Sequence, residues 1–340
     1  MKLKIGILSL LFLVLSACSK KEPITMLTFN TFHEGTKSVD GFEEIKNVIL
    51  QLSPDIIGFT EVRNYEGDWT YKIQVALLKE GLSYHRGYVG GDIALLSKYP
   101  ISKGVLTGKG SIANFELVLA NTSIAVAVAH LDYTQYACYL PRGYYGGNPN
   151  WDMISDANGN LNPITDLDSI LAYNLASQRD EQLKDYLNTI KNVEIPTFLM
   201  GDFNEPSHLD WQKNTKDLFD HQGLIINWQN SKMLYANNFV DAYRNKYPNV
   251  VKNPGFTWPS PHSKEGSTSW APKADERDRI DFIYYKGKEI AIEKAAIVGS
   301  KMYYIRNTLT SNGVEGDVFL AADTPWPSDH KGVFSSFRIK

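Results

Sequence analysis

The chain has little of several features that would define a class of function. It carries 2 cysteines in 340 residues, which cannot build a disulfide framework or a zinc site made of thiolates. It also has no excess of positive charge, since its formal net charge is −3. An acidic surface disfavours tight binding of a long nucleic acid through its phosphates. Any chemistry on phosphate must therefore be local.

The composition is that of a globular protein. The chain is 43% hydrophobic and 21% charged, which is enough apolar material for a real core and excludes disorder, collagen-like repeats and coiled coils. The sequence shows no internal repeat, no second hydrophobic span and no long polar linker. We therefore predict one domain over residues 24–340.

The N-terminus reads as a targeting segment. Two lysines precede an apolar run from Ile5 to Leu15, and small residues follow before Cys18, which predicts a secretory signal over residues 1–17. The ending Leu-Ser-Ala-Cys resembles the bacterial lipobox, which implies a lipidated Cys18, a tether over 18–23 and a lipid-anchored place in the bacterial cell envelope, facing the periplasm or the outside. A plain signal peptide with an incidental cysteine is the alternative. Removal of 1–17 takes away two lysines, so the remaining chain has a formal charge of about −5.

From Ile24 onward, short β-rich runs alternate with helical patterns. The predicted helices are Gly41 to Leu52, Trp69 to Lys79 and one long helix from Asp168 to Ile190. The predicted strands are Ile24–Phe29, Asp55–Phe59, Ile93–Leu96, Phe115–Leu119, Ile124–Val128, Thr197–Met200, Ile280–Tyr285, Ile290–Val298 and Val333–Ile339. An Asn-containing turn over 120–122 suits a hairpin between the fourth and fifth of these. Residues 133–167 show little periodicity. The pattern predicts an α/β domain with helices on the outer faces.

Polar residues gather where these strands begin or end, which is where sheets present functional groups on rigid supports. They are Asn30, Glu61, His130, Asp132, Asp202, Asn204, Asp281, Asp329 and His330. Together they supply carboxylates, amides and two imidazoles but no thiolates, a set that suits Mg²⁺ or Mn²⁺.

The sequences and the order of these segments resemble those of the endonuclease/exonuclease/phosphatase superfamily, which has the DNase I-like fold. The resemblance covers residues 24–340 and rests on LTFNTF, SPDIIGFTEV, GDIALLSKYP, VAVAHLD, PTFLMGDFNEPS, DRIDFIYYKG and PSDHKGVF. It implies a four-layered α/β sandwich, in which two mixed sheets pack face to face with helices outside. It also implies metal-dependent hydrolysis of a phosphate ester.

Carried over position by position, the resemblance implies a role for each residue of the site. Glu61 would be the principal metal ligand, with Asn30 beside it and Asp329 close enough to share the ion. Asp202 would orient or deprotonate the attacking water, and Asn204 would hold that water or donate to a phosphate oxygen. His330 would contact the phosphate with Asp281 on its other ring nitrogen, and His130 would be the second imidazole.

Residues outside these motifs are candidates for binding substrate. Arg86 could contact phosphate or be a solvated strand-end arginine. The tyrosine-rich stretch after His130, with Arg142 and Tyr144, could wall the site and set which ring-bearing or sugar-bearing ester is accepted, or it could cover a sheet edge. His33 and Glu34 could line the site, although ordinary loop residues are the favoured interpretation.

Three functions remain open at this point. The favoured one is a phosphodiesterase or phosphomonoesterase, with Mg²⁺ or Mn²⁺ as cofactor, that acts as a monomer on a small or lipid-linked phosphate ester and is held at a membrane by its N-terminal lipid. A nuclease on DNA or RNA is less favoured because the chain is acidic. A tethered binding module without catalysis is disfavoured because every motif residue is present.

Overall fold

The computed structural model describes residues 22–120, 122–262, 269–321 and 323–340. The predicted signal peptide, Cys18 and most of the predicted tether lie outside the described residues. The strands are β1 (Ile24–Asn30), β2 (Ile56–Thr60), β3 (His85–Gly87), β4 (Ile93–Ser97), β5 (Ile101–Thr107), β6 (Ile112–Val118), β7 (Ser123–His130), β8 (Thr197–Asp202), β9 (Val240–Asp241), β10 (Asp281–Lys286), β11 (Ile290–Val298), β12 (Tyr303–Ile305), β13 (Thr308–Thr310), β14 (Phe319–Leu320) and β15 (Gly332–Ile339).

The helices lie between these strands and pack on their outer faces. They are α1 (Gly41–Leu52), α2 (Trp69–Lys79), α3 (Leu167–Leu175), α4 (Arg179–Thr189), α5 (Gln229–Ala236) and α6 (Ala242–Lys246), with short 3₁₀ turns at Gly108–Gly110 and Ala137–Arg142. Helix α1 buries Ile45, Val48 and Ile49 at helical spacing, and α2 begins at Asp68, whose carboxylate accepts a hydrogen bond from the backbone N–H of Tyr71. No helix in the described ranges is long and apolar enough to cross a membrane.

The strands form two large mixed sheets. One has the order β14-β11-β15-β1-β2-β4-β3 and the other the order β5-β6-β7-β8-β10-β9, while β12 and β13 form a separate ribbon. In the first sheet β1 is parallel to β2 and antiparallel to β15. In the second, β8 is parallel to β7 and antiparallel to β10.

Alternating side chains explain the layers. In β1, Met26 packs into the core between the two sheets, whereas its neighbour Leu27 packs under α1 and α2. In β7, Val128 faces that central core and Ala127 faces the layer that contains α4 and α5. Since successive strand residues point to opposite faces, each sheet buries both of its sides. The result is the predicted sandwich of helix, sheet, sheet and helix layers, and the predicted fold is confirmed.

The structure differs from the prediction in one helix and in several elements that were not predicted, which are β3, β5, β9, β12, β13, β14, α5 and α6. The predicted helix from Asp168 to Ile190 is two helices, α3 and α4, because at the break the N–H of Gln178 donates to the carboxylate of Asp132 and the Arg179 side chain turns inward. Strand β5 was not predicted, since it is an edge strand whose middle residues are exposed and it shows no hydrophobic alternation. The predicted hairpin turn includes residue 121, which lies outside the described residues.

Residues 133–167 form an irregular layer with its own apolar cluster. Tyr136, Tyr139 and Tyr144 pack there with Trp211 and Trp258, which come from later loops. The layer is therefore part of the folded body and lies against the segments that follow β8 and precede β10.

Candidate active site

The strand pairings bring the predicted residues to one edge of the sandwich. His130 at the end of β7 pairs in register with Asp202 at the end of β8, and Asp202 pairs with Asp281 at the start of β10. In the other sheet, Asn30 ends β1 beside the end of β2, which Glu61 follows. Because the sheets pack face to face, these ends meet in a single pocket of about 590 Å³. The pocket is lined by Phe32, His33, Lys37, Glu61, Arg63, His130, Tyr133, Tyr136, Trp151, Asp202, Asn204, Trp258, Trp270, Ile280, Asp329 and His330.

The imidazole of His130 is held by Asp92, a carboxylate that was not among the predicted site residues. The Nδ1 of His130 lies 2.8 Å from Oδ2 of Asp92, and the guanidinium of Arg63 lies 2.8 Å from the same oxygen. Burial by itself lowers the pKa of His130, but the negative charges of Asp92, Asp202 and Glu61 overcome it and raise the pKa to about 9. His130 is therefore an imidazolium at neutral pH, with Nε2–H facing the pocket.

The second imidazole has the same arrangement. The Nδ1 of His330 lies 2.9 Å from Oδ2 of Asp281, and the backbone N–H of Asp281 donates to the hydroxyl of Thr257 at 3.1 Å. Burial lowers the pKa of His330, but Asp281 and Asp202 outweigh it and raise the pKa to about 10. The indole of Trp258 lies over this ring, with 4.6 Å between ring centroids.

Asp202 lies between the two imidazoles. Its Oδ2 is 3.8 Å from Nε2 of His130 and 3.6 Å from Nε2 of His330, and it accepts a hydrogen bond from Nδ2 of Asn30 at 3.1 Å. Its other oxygen accepts from the backbone N–H of Asn204 at 2.9 Å. Asn204 has a φ of 49°, a left-handed conformation that is uncommon outside glycine, and one N–H of its side chain donates to the Leu131 carbonyl at 3.0 Å. Asn204 also lines the pocket.

Glu61 and Asp329 form a second acidic group in the same pocket. Glu61 accepts hydrogen bonds from Nδ2 of Asn30 at 3.3 Å and from the backbone N–H of His33 at 2.8 Å, and its φ of 62° stores backbone strain at the site. Burial, aided by the negative charge of Glu61, raises the pKa of Asp329 to about 7. Its Oδ1 is buried without a hydrogen-bond partner in the part of the chain that the structure describes.

These observations fit a hard divalent cation. Burial and the charge of Glu61 disfavour the ionised form of Asp329, and its buried oxygen has no partner among the described residues. An oxygen-liganded cation would relieve both, so Glu61 and Asp329 are the residues that would hold it, with the amide of Asn30 beside them. Oxygen or nitrogen atoms of Asp202, Asp281 and His330 also lie within 4.8 Å of one another. Since both ring nitrogens of His330 already face carboxylates, we interpret that cluster as a unit that holds a proton.

Three residues expected at the substrate lie outside the pocket. Arg86 on β3 pairs with Asp68 at the start of α2. Arg142 is 1% exposed and forms a buried ion pair with Asp278. Its guanidinium also donates to backbone carbonyls, such as that of Asp275. Tyr144 is 3% exposed, and its hydroxyl accepts from the backbone N–H of Lys273. The structure thus corrects the prediction that these side chains contact substrate.

The tyrosine-rich stretch nevertheless reaches the site with other residues. Tyr133, Tyr136 and Trp151 line the pocket. The first two belong to the tyrosine-rich stretch, which covers residues 133–147, whereas Trp151 lies beyond it and was not predicted. His33 also lines the pocket, with Nε2 3.5 Å from Oε2 of Glu61, so the favoured interpretation of His33 as an ordinary loop residue is wrong. Glu34 points away and accepts from the backbone N–H of Asn64.

The role of Asp92 has a signal in the sequence. It opens the GDIALLSKYP motif just before β4, at the same edge as the other strand ends, and could have been added by the strand-end rule. Arg63 follows Glu61 by two residues and could have been found in the same way. Trp151 carries no comparable signal, because it lies in a segment without periodicity.

Comparisons with known proteins agree with this geometry. Residues 27–330 match the model of the Endonuclease/Exonuclease/phosphatase family. A Caenorhabditis elegans protein, "Uncharacterized protein F14F9.5", is 29% identical over 332 residues, which are 94% of this chain and 93% of that protein.

Solved structures give the same result at the level of the fold. D. rerio TDP2 in complex with a single-strand DNA product is 13% identical with a TM-score of 0.52, covering 93% of this chain and 99% of that one. The human Nocturnin catalytic domain with a bound sulfate anion is 16% identical with a TM-score of 0.47, covering 94% and 95%. At these identities the first likeness is one of fold alone, and the second carries no further argument.

Proposed function

Because the chain belongs to the endonuclease/exonuclease/phosphatase family, whose members are typically hydrolases acting on phosphate esters, we propose that it is a divalent-metal-dependent phosphoric ester hydrolase. The single observation that carries the proposal is the pair of imidazoles. His130 and His330 each rest on a carboxylate at Nδ1, and each directs Nε2 toward the same oxygen of Asp202. Two imidazolium groups that converge on one point are suited to a phosphate.

The residues of the chain divide the work of hydrolysis. A phosphate bound in the pocket beside Asp202 can receive hydrogen bonds from both Nε2–H groups, and the side-chain amide of Asn204, which also lines the pocket, can add a third. As the phosphorus is attacked, negative charge grows on its oxygens, and these fixed donors stabilise that charge without having to reorganise. Asp202 accepts a hydrogen bond from the attacking water, directs the lone pair of the water at phosphorus and takes up the proton of the water as the new P–O bond forms.

Proton transfer to the leaving group belongs to the two imidazoles. With Nδ1 engaged by Asp92 or Asp281, each ring keeps a proton on Nε2, and either proton can pass to the departing alkoxide oxygen. A divalent cation held by Glu61, Asp329 and Asn30 would neutralise charge on the phosphate oxygens and polarise the bond that breaks. Mg²⁺ is our first choice and Mn²⁺ our second, because the donors are oxygens.

The acidic chain favours a small ester over a nucleic acid. The formal charge is −3 over the whole sequence, which gives little long-range attraction for a polyanion. D. rerio TDP2, which shares the fold, was crystallised with a single-strand DNA product, so a nuclease remains the alternative that the experiment must address.

The experiment is a metal-dependence test on a panel of esters. We expect hydrolysis of bis-p-nitrophenyl phosphate to stop in EDTA and to return with Mg²⁺ or Mn²⁺, and we expect Glu61→Gln to abolish the return, because an amide keeps the shape but removes a ligand charge. Asp68→Asn, the same kind of change at the exposed pair with Arg86, is the control and should behave as wild type. Full activity of wild type in chelator would refute the metal assignment, and faster cleavage of plasmid DNA than of every small ester would favour the nuclease.

We also propose that the enzyme acts as a monomer tethered to a bacterial membrane through lipid on Cys18. The support is the Leu-Ser-Ala-Cys ending of the apolar N-terminal run. With only residues 19–23 between the anchor and β1, the tether would span at most about 17 Å. The active site would then work close to the membrane surface, on esters in the envelope space.

A further inference from the structure

A continuous run of aromatic rings leads outward from the catalytic imidazole of His330. The ring centroid of His330 is 4.6 Å from that of Trp258, which is 6.2 Å from Trp270. Trp270 is 5.7 Å from Trp151, and Trp151 is 6.5 Å from Tyr136. We call Trp258, Trp270, Trp151 and Tyr136 the aromatic wall. It links the place where phosphate would react to the outer part of the same pocket.

The exposure of the wall is concentrated at Trp270, since Tyr136 at the far end of the run is 3% exposed. Trp258 is 9% exposed, whereas Trp270 is 46% exposed. Large apolar side chains left open beside catalytic groups are typical of ligand sites, because water covers them at a cost that a ligand removes. The open faces therefore lie where the organic group of an ester would extend from its phosphate.

The rings are held in fixed positions. The indole N–H of Trp258 donates to the hydroxyl of Tyr139 at 3.2 Å, and that hydroxyl donates to Glu276 at 2.6 Å. Trp151 packs edge-on against Tyr139, with centroids 5.9 Å apart and planes at 80°. Trp151 also packs closely against Gly147, since a Cβ added to Gly147 would lie 2.8 Å from the indole. A wall that is already ordered loses little conformational entropy when it binds.

The composition of the pocket distinguishes a ring from an acyl chain. Ile280 is the single aliphatic side chain among the described residues that line the pocket, whereas six lining residues are phenylalanine, tyrosine or tryptophan. Neighbouring rings of the wall are tilted by 34° to 58°, so they present separate faces instead of a smooth aliphatic groove. Faces of this kind suit stacking with a flat π system.

We propose that the aromatic wall binds a planar aromatic or heteroaromatic ring carried by the group esterified to the reacting phosphate. This inference rests on the proposed function for the position of the phosphate. The imidazoles and Asn204 hold the phosphate, and the wall selects a ring-bearing alcohol, of which a nucleoside is one example. Stacking on such a surface is expected to strengthen binding by about 5- to 150-fold per ring.

The test measures binding and does not need turnover. Wild-type protein in EDTA is titrated with adenosine 5′-monophosphate and with ribose 5-phosphate, which share the sugar phosphate and differ only in the ring, and affinity is followed by calorimetry and by quenching of tryptophan fluorescence. We expect the ring-bearing ligand to bind at least about 10-fold more tightly. Trp270→Ala should remove most of that difference and leave ribose 5-phosphate unchanged, while Trp270→Phe should restore much of it.

The controls separate a binding wall from a structural one. Tyr235→Ala removes an aromatic ring on α5 that is 67% exposed, against 46% for Trp270, and that lies outside the pocket, so it should change neither affinity. Trp151→Ala is the second variant, checked by its thermal unfolding.

Equal affinity of wild type for the two ligands, or equal losses for both in Trp270→Ala, would overturn the proposal. Tighter binding of a short-chain phosphatidic acid than of adenosine 5′-monophosphate would overturn it in favour of an acyl chain. Since binding is measured without metal, failure of hydrolysis would leave this result readable.

Discussion

Replacing Asp92 by asparagine tests the role of His130 most directly. The substitution keeps the size of the side chain but removes the charge that lies 2.8 Å from Nδ1 of His130. Asp92 is the largest contributor among the charges that raise the pKa of His130. Without it, the pKa of His130 falls, because only Asp202 and Glu61 are left to offset the effect of burial.

The size of the effect follows from the change in protonation. With a pKa of about 9, roughly 90% of His130 is imidazolium at pH 8, whereas a return to an ordinary value near 6.5 leaves about 3%. If the imidazolium is the active form, turnover should fall by about 30-fold at pH 8 and by no more than about 2-fold at pH 6. Misorientation of the ring adds a loss that does not depend on pH.

Initial rates with bis-p-nitrophenyl phosphate and Mg²⁺ between pH 6 and pH 8.5 would measure this. In a His130→Ala background, Asp92→Asn should have no further effect, because Asp92 acts through the imidazole. Asp68→Asn is the matched control, since it removes a carboxylate from the pair with Arg86. A loss that is the same at every pH would show that Asp92 only orients His130, and a gain over wild type that grows toward low pH would show that neutral imidazole is the active form.

Two further predictions concern the corrected arginine and the anchor. Arg142→Met should lower the free energy of unfolding, measured in urea, by about 3–5 kcal/mol, because it leaves Asp278 buried without its counter-charge. Arg86→Met, at an exposed ion pair, should change that free energy by less than about 1 kcal/mol. Equal effects of the two substitutions would contradict the structural role of Arg142. Cys18→Ser should move the enzyme from the membrane fraction of a bacterial host to a soluble or unprocessed form, and unchanged acyl labelling and fractionation would contradict the anchor.

The catalytic centre could be predicted because its residues mark the ends of regular strands. Strand ends can be read from local patterns, and strand pairing then brings them together, as the register of His130 with Asp202 and of Asp202 with Asp281 demonstrates. Asp92 also lies at a strand end, directly before β4, but its motif was interpreted only as the strand that follows it. This part of the site depends on periodicity, which a single sequence carries.

Burial of polar residues could not be predicted in the same way. Arg142 lies in a segment rich in glycine, proline and tyrosine, which reads as a surface loop. What buries it is Asp278, 136 residues away in the chain, together with carbonyls of the same distant loop. A long-range partner leaves no local pattern, so an arginine that neutralises a buried carboxylate and one that binds phosphate look alike in sequence.

The insertion after His130 therefore has a divided role that neither sequence interpretation described. Its start is tied down by Arg179, which donates to the carbonyls of Asp132, Thr134 and Gln135 and lies 3.9 Å from Glu205, directly after Asn204. This clamp fixes the insertion to the loop that carries a catalytic amide, while Trp151 further along reaches the pocket. We therefore expect changes at Trp151 to alter which ester is bound while the strand ends keep their arrangement, because the contacts of Arg179 hold the start of the insertion without involving Trp151.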